Sequence, residues 1–472
     1  MKPSPDRPAR TLFGSGAAFF SMLKLLGAAF FLILAATGAG SAGSGGDNPE
    51  ALSLQDAMRL AVLHNPAMRE ASSRVEMSAE RVVQARSGFM PRLDLVGGYQ
   101  RTTNPALAFS TKLNQGMITA QDFDPRQLNE PDPTDNYSGG LVAVWPVYDS
   151  GRTWYGTRQA EMLQKATDFA LDRTRRQVIA QTVMAYSGLL TALDHLEIVR
   201  QTRATAGANL RMVESRYQSG FVVKSDLLRT QVHVSDIEQQ LFDAESQVEI
   251  ARARLNDVLG VAIERHFEPV DKLEAGAAVT GSLEQWVDTA LQQRADFKAV
   301  EYQSAVAETE VKKTRAAYLP SVNLTGNYQL NTEDFDGSAD SYTIGAFVNL
   351  NLFSGLETSS RVRESLAALQ AVRAARRRLE QQIRVETRQA YLEAQSAWKR
   401  ISVATKAMQQ AAEALRIVSS RYQNGLLTIL DLLNSELALQ QADTRHLYAL
   451  HDFHVARARL LLAAGELDEN FK

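Results

Sequence analysis

The chain is written twice. Ser53-Leu54 returns as Ser282-Leu283, 229 residues later, and the match continues without a gap through Pro91 and Pro320 to Tyr99 and Tyr328. Beyond these points the spacing falls to 205 residues. Tyr137 matches Tyr342, Tyr148 matches Phe353, Arg216-Tyr217-Gln218-Ser219-Gly220 matches Arg421-Tyr422-Gln423-Asn424-Gly425, and Gly260 matches Gly465. The 24-residue difference lies between Tyr99 and Tyr137, so the first half carries a longer loop there. Two copies of one supersecondary pattern constrain the fold more than any local motif, because each structural reading must hold in both.

Each half reads as short helices, two strands and two very long helices. Over 56–88 and 284–318, apolar and Ala positions recur at helical spacing among Glu, Gln, Arg and Lys, and both runs stop at a proline, Pro91 or Pro320. After each proline the period becomes two. Leu93, Leu95 and Tyr99 alternate with Arg92, Asp94 and Gln100, while Val322, Leu324, Tyr328 and Leu330 alternate with Ser321, Asn323, Thr325, Asn327 and Gln329. The returning strands place Leu141, Ala143, Trp145 and Val147, and Tyr342, Ile344, Ala346, Val348, Leu350 and Leu352, at the same period. Segments of about ten residues, apolar on one side and carrying Tyr or Trp near their ends, suit a transmembrane barrel. Alternation alone also fits a soluble sheet with one wet face. Four strands cannot close a barrel, for which about eight is the practical minimum, so in a membrane several chains must share one.

Between the paired strands, 101–136 and 331–340 are rich in Pro, Asn, Asp and Gly and read as solvated external loops. From 149 to 216 and from 354 to 421 there is no proline and little glycine; at 1.5 Å per residue, about 65 residues make roughly 100 Å of helix. A second helix returns from a glycine turn in each half, over 225–259 and 428–464, and helices this long imply coiled-coil packing. The expected organisation is a first repeat at 47–265 with strands 91–101 and 137–148, a linker at 266–281, a second repeat at 282–465 with strands 320–330 and 341–353, and a tail at 466–472. The arginine clusters at 173, 175, 176 and at 376, 377, 378 read as solvated helix faces.

Lys2, Arg7, Arg10 and Lys24 surround an apolar stretch at 25–36, followed by small residues at 37–46, the layout of a secretory signal peptide. The alternative, a single membrane anchor, would need about 20 apolar residues. A formal charge of -3 and a pI near 6.2 leave no excess of Lys and Arg to neutralise phosphates, so nucleic acid is not an expected partner. The absence of cysteine removes disulfides, thiolate metal sites and a lipid attached through an N-terminal Cys.

Taken together, these residues resemble the TolC family of outer-membrane efflux proteins. The resemblance covers about 52–465 and is carried by the duplicated Ser-Leu openings, Phe89-Met90-Pro91 and Tyr318-Leu319-Pro320, Pro146-Val147-Tyr148-Asp149-Ser150-Gly151 and Leu352-Phe353-Ser354-Gly355, and the paired Arg-Tyr-Gln-x-Gly turns. It implies a mixed, mainly α fold in which strand-strand-long helix hairpin units from a homotrimer build a 12-stranded outer-membrane β-barrel continued by a periplasmic α-helical barrel. It further implies outer-membrane lipid, a periplasmic adaptor protein and an inner-membrane transporter as partners.

By the same resemblance the closed periplasmic end lies at the helical turns 216–228 and 421–433. Arg216, Tyr217, Gly220, Asp226, Leu227, Arg421, Gly425 and Leu432 become candidates for adaptor docking. Asp431 and Asn434 hold the places where the family often has two acidic residues narrowing the pore, so one carboxylate per subunit remains. Tyr422 is a candidate gate tyrosine, and the family's gate-locking basic residue falls on Leu427. Asp431 also reads as an ordinary helix-start aspartate favoured by the dipole, and Ser225 and Thr428 as helix starts.

No His-Glu-x-x-His, phosphate-binding glycine loop or nucleophile elbow occurs. His451 and His454 flank Asp452 near His446 but lack further ligands, so no metal, cofactor or catalytic residue is expected. The leading functional expectation is a passive exit duct for small molecules or ions. Its alternatives are a type I protein secretion duct and a periplasmic coiled-coil scaffold.

Overall fold

The computed structural model describes residues 50–471. The segment at 1–46 that the sequence reads as a signal peptide, residues 47–49 and the terminal Lys472 lie outside the described residues. In chain order the elements are β1 (Glu50–Leu52), α1 (Leu54–His64), α2 (Pro66–Ser87), β2 (Arg92–Thr102), α3 (Pro105–Asn114), α4 (Pro125–Asn129), β3 (Thr134–Tyr148), α5 (Arg152–Gln218) and α6 (Lys224–Leu259). They continue with β4 (Phe267–Pro269), α7 (Leu283–Gln293), α8 (Ala295–Arg315), β5 (Ser321–Thr332), β6 (Ala339–Asn349), α9 (Glu357–Gln423) and α10 (Ile429–Ala464). Short 3-10 turns occupy Ala120–Phe123 and Ala316–Tyr318. The described chain divides into two compact units, one built around 83–157 and 312–363, the other around 50–82, 158–311 and 364–471.

The first unit is a four-stranded antiparallel sheet in the order β2-β3-β5-β6. Leu95 pairs with Leu141, Leu141 with Tyr328, and Tyr328 with Tyr342. Side chains alternate across a strand, so this register puts Leu93, Leu95, Tyr99, Leu141, Trp145, Leu324, Tyr328, Tyr342, Ile344 and Val348 on one face. Asp94, Gln100, Asn136, Ser138, Asn323, Thr325, Asn327, Thr343 and Asn349 share the other. Most of the large apolar residues are exposed, Ile344 at 79% and Tyr342 at 76%. Among the described residues nothing pairs with the outer edges of β2 and β6.

Strand ends differ from the sequence reading. β3 begins at Thr134, because Asn136 is buried and donates to Asn331 (3.0 Å), and Gln115 Nε2 donates to the Asp135 carbonyl (2.7 Å), extending the ladder. β6 stops at Asn349, leaving Leu352 and Phe353 exposed beyond it. The 101–136 segment is not an irregular loop but holds α3 and α4. Asn104 caps α3 ahead of Pro105, and Lys112 pairs with Asp122 at 2.9 Å. The exit motif after β3 also has a local cause. The Asp149 carboxylate accepts from Thr153 N (2.6 Å) and Oγ1 (2.5 Å), starting α5, and Ser150 Oγ donates to the Pro320 carbonyl (2.6 Å).

The second unit packs the long helices on a core including Val178, Tyr186, Leu189, Val199, Ile237, Leu255, Ala394, Phe453 and Leu460. Alanines at 390, 394, 397, 449, 456 and 463 are buried, as close helix approach requires. β1 and β4 pair in parallel, and Asp271 Oδ2 accepts from Leu54 N (2.7 Å) and Tyr186 Oη (2.8 Å). The short helices expected over 56–88 and 284–318 divide at Asn65 and Arg294, each of which caps the helix before it.

Arg173 and Arg176 are a correction to the solvated-face reading. Arg173 donates to the Leu462 carbonyl (3.4 Å), Arg176 to that of Gly465, and Arg294, 2% exposed, reaches the Ala463 carbonyl (3.5 Å). Three guanidinium groups thus meet the negative end of α10. Arg175 is exposed and pairs with Glu469, Arg376 is exposed and pairs with Glu301, and Arg377 and Arg378 are exposed.

Candidate functional site

Both long hairpins turn in the same way. Gly220 (φ +78°) and Gly425 (φ +75°) occupy the left-handed region, which a residue without Cβ enters at little cost. Phe221 N donates to the Arg216 carbonyl (2.8 Å) and Gly220 N to that of Tyr217 (3.0 Å); Leu426 N and Gly425 N repeat this toward Arg421 (2.9 Å) and Tyr422 (3.0 Å). Paired 6→1 and 5→2 bonds of this kind satisfy carbonyls that a helix end leaves free.

The helices leaving the turns start differently. Thr428 caps α10 in a full capping box: Asp431 Oδ2 accepts from Thr428 N (2.9 Å) and Oγ1 (2.6 Å), and Thr428 Oγ1 accepts from Asp431 N (3.3 Å). The matching position before α6 is Val223, which has no side-chain acceptor, so Ser225 is inside the helix rather than at its cap. The Thr428 side-chain and backbone hydrogen bonds hold the Asp431 carboxyl below the usual range. Asp431 and Asn434 are both exposed, one helical turn apart.

Equivalent tyrosines have opposite fates. Tyr217 is 39% exposed, whereas Tyr422 is 3% exposed among Val213, Ile429 and Leu432, with Leu227 against the same cluster. The Arg216 guanidinium lies 5.0 Å from the Tyr422 ring centroid and donates to the carbonyls of Tyr422 (3.3 Å) and Gln423 (2.9 Å), the last turn of α9. Among the described residues the buried Tyr422 hydroxyl meets no hydrogen-bond partner. Burial pushes its phenol up, with Arg216 opposing. Around these contacts the turns expose Phe221 (83%), Val223, Leu228, Leu426 and Leu430, while Arg421 is exposed and Asp226 half-buried.

The sequence reading therefore named both tyrosines, Asp431 and Arg216 but not what joins Arg216 to the end of α9. It also missed the buried carboxylate Glu436, which lies between Asn209 and His233 (3.7 Å). A charged residue at a buried heptad-like position was its available signal. The three histidines disperse: His454 Nε2 meets the Glu274 carbonyl (2.8 Å), His446 Nδ1 lies 3.4 Å from Thr405 Oγ1, and His451 lies 3.7 Å from Asp452.

The model of the family described as outer membrane efflux protein matches residues 57–261 and 286–466. The chain belongs to that family. It is an outer-membrane channel protein of the efflux and secretion type. Within the family, the outer membrane protein TolC of Vibrio cholerae is 23% identical over 419 residues, covering 86% of this chain and 89% of the relative. The alkaline protease secretion protein AprF of Pseudomonas aeruginosa is 24% identical over 431 residues, covering 89% and 85%. Among solved structures, the outer membrane protein VceC of Vibrio cholerae has the same fold, with a TM-score of 0.72 at 20% identity over 87% of this chain and 96% of the other. The two matched segments of the family model each contain one Arg-Tyr-Gln-x-Gly turn. Among the described residues no helix is long and apolar enough to cross a membrane.

Proposed function

We propose that the protein is the outer-membrane exit duct of a tripartite pump, passing small molecules or ions delivered by an inner-membrane transporter through a periplasmic adaptor, without catalysis of its own. The observation that carries this reading is the sheet: one exposed apolar face, one polar face and two unpaired edges. Water cannot satisfy those edges inside lipid, and four strands cannot close. Three copies give twelve strands, a closed barrel with lipid outside and polar residues within.

In this reading Asp431, Asn434 and Tyr422 belong to the closed end. The exposed apolar rim of the two turns, with Arg216, Tyr217, Gly220, Asp226, Leu227, Arg421, Gly425 and Leu432 shaping it, docks the adaptor. Planar-bilayer recordings of purified protein test the duct: stepwise conductance from a heat-modifiable trimer supports it, and a monomer soluble without detergent overturns it. A protein-secretion duct is the second reading, favoured by the likeness to the alkaline protease secretion protein. Deletion separates the two. Loss of secreted proteins with unchanged sensitivity to toxic small molecules favours secretion.

A further inference from the structure

Midway along α5 and towards the C-terminal ends of α6 and α10, a groove of about 380 Å³ opens between the three helices. Its charged lining is of one sign. Arg254 from α6 and Arg459 from α10 stand on it, and no carboxylate does. Neither arginine has an ion-pair partner among the described residues, although Arg252 on α6 pairs with Glu249, Arg203 on α5 with Glu238, and Arg400 on α9 with Asp452. Two exposed guanidinium groups facing one concavity without a carboxylate are an unmet electrostatic demand.

The rest of the lining is suited to an organic body. Ile250 and Val455 supply apolar wall, and the Tyr448 ring lies 6.3 Å from the His195 ring. Deeper in, His195 Nδ1 is buried and has no hydrogen-bond partner among the described residues. Burial pushes the His195 imidazole down, so at neutral pH it is uncharged and Nδ1 can donate or accept according to tautomer. His451 and Arg459 both line the groove on α10, eight residues and therefore about 12 Å apart. The adjacent face of α10 is taken up, His454 by the Glu274 carbonyl and Arg457 by the Phe471 ring.

We propose that this groove binds a small aromatic or aliphatic dianion, its acidic groups held by Arg254 and Arg459 and its body lying against Tyr448, Ile250 and Val455. As a binding site it stands on the groove alone. As a station that selects anionic cargo it rests on the duct reading above.

The test is equilibrium dialysis of 1,5-naphthalenedisulfonate against the full chain in nonionic detergent. Wild type is compared with R254Q, R459Q, the double variant, the charge-preserving R254K/R459K, and R203Q as a control whose arginine is already paired. Saturable binding that weakens about tenfold per arginine removed, the scale of a lost charge-assisted hydrogen bond, is expected. R203Q should match wild type, R254K/R459K should retain part of the affinity, and 1-(aminomethyl)naphthalene, a cation on the same ring, should not compete. Unchanged binding by the double variant, or no saturable binding by wild type, overturns the site. Circular dichroism verifies that the variants are folded. Because dialysis needs no conductance, a chain that binds but forms no channel defeats the duct reading alone, and one that conducts but does not bind defeats the site alone.

Discussion

Arg216 crosses from the last turn of one long helix to the last turn of another, covering the ring of Tyr422 and donating to the carbonyls of Tyr422 and Gln423. One side chain therefore joins the turns of the two long hairpins, and it does so asymmetrically, since the matching Arg421 is exposed. Removing it should loosen the end of α9 before anything else. Arg216→Gln is expected to cost about 1–2 kcal/mol locally, and Arg216→Lys should not restore it, because an ammonium cannot cover a ring and two carbonyls as a planar fork does. Hydrogen exchange at residues 420–426 measures this. Protection equal to wild type would dismiss the link.

Among the described residues the buried Tyr422 hydroxyl meets no hydrogen-bond partner, so that oxygen is a burden to the fold. Tyr422→Phe should leave stability unchanged or raise it by up to about 1 kcal/mol, whereas Tyr422→Ala should lower it by about 3–5 kcal/mol. Thermal unfolding of both variants compares the two. A large loss in the Phe variant would mean that the hydroxyl finds a partner in the assembled protein.

Asp431 serves the start of α10 and, in the duct reading, the pore. Its carboxyl is held low by Thr428, so its contribution to the helix start is complete above the ordinary carboxylate pKa and fades as pH falls through the depressed value. Thr428→Ala and Asp431→Ala should weaken the helix start alike, but Asp431→Ala alone should change conductance and its response to cations. Identical channel behaviour of the two variants would confine Asp431 to capping.

Arg294 is buried between Asp296 (2.6 Å) and Glu386 (2.7 Å). Burial alone would raise the Asp296 carboxyl, but the hydrogen bond and charge of Arg294, with Arg173 behind, hold it below its usual value. That contribution is present at neutral pH and is lost on acidification through the lowered pKa. Arg294→Met should cost about 3–5 kcal/mol by leaving carboxylates unpaired, and Asp296→Asn should flatten the acid limb of the stability profile. Denaturant titration across pH 3–7 measures both, the interval spanning the ordinary carboxylate range.

On the sheet, Ile344 and Thr343 are neighbours on opposite faces. Ile344→Arg should destabilise the membrane-inserted form by about 2–4 kcal/mol, and Thr343→Arg by much less. Recovery of the heat-modifiable form from outer membranes reports the difference. Equal loss in both would argue against a lipid-facing side.

The duplication, the sheet's two faces and the four long helices were legible because each is stated many times over by a period or an offset. Alternation alone assigns Leu95, Leu141, Tyr328 and Tyr342 to the apolar side of their strands, and the pairing then lines them up. What escaped reading depends on single side chains meeting across long separations. Nothing local distinguishes Arg173 or Arg176, which meet the end of α10, from Arg377, which is exposed. Asn104-Pro105, by contrast, is a helix start written in the sequence, and the α3 helix was obscured by the prolines and acidic residues that follow it. Val223 stands where its counterpart is Thr428, so a cap inferred from Ser225 was two residues too late. At the candidate site the residue types were visible, whereas the burial of Tyr422 beside an exposed Tyr217 required the packing of Val213, Ile429 and Leu432.

The strand at each margin of the sheet, Arg92–Thr102 on one side and Ala339–Asn349 on the other, also sets terms for biogenesis. An exported chain travels with two rows of amides and carbonyls seeking a mate and a greasy surface beside them, the same features that seed misassembly. Escort by a holding factor, and the local abundance of sister chains at the moment of insertion, would then govern yield more than the speed with which any single polypeptide folds.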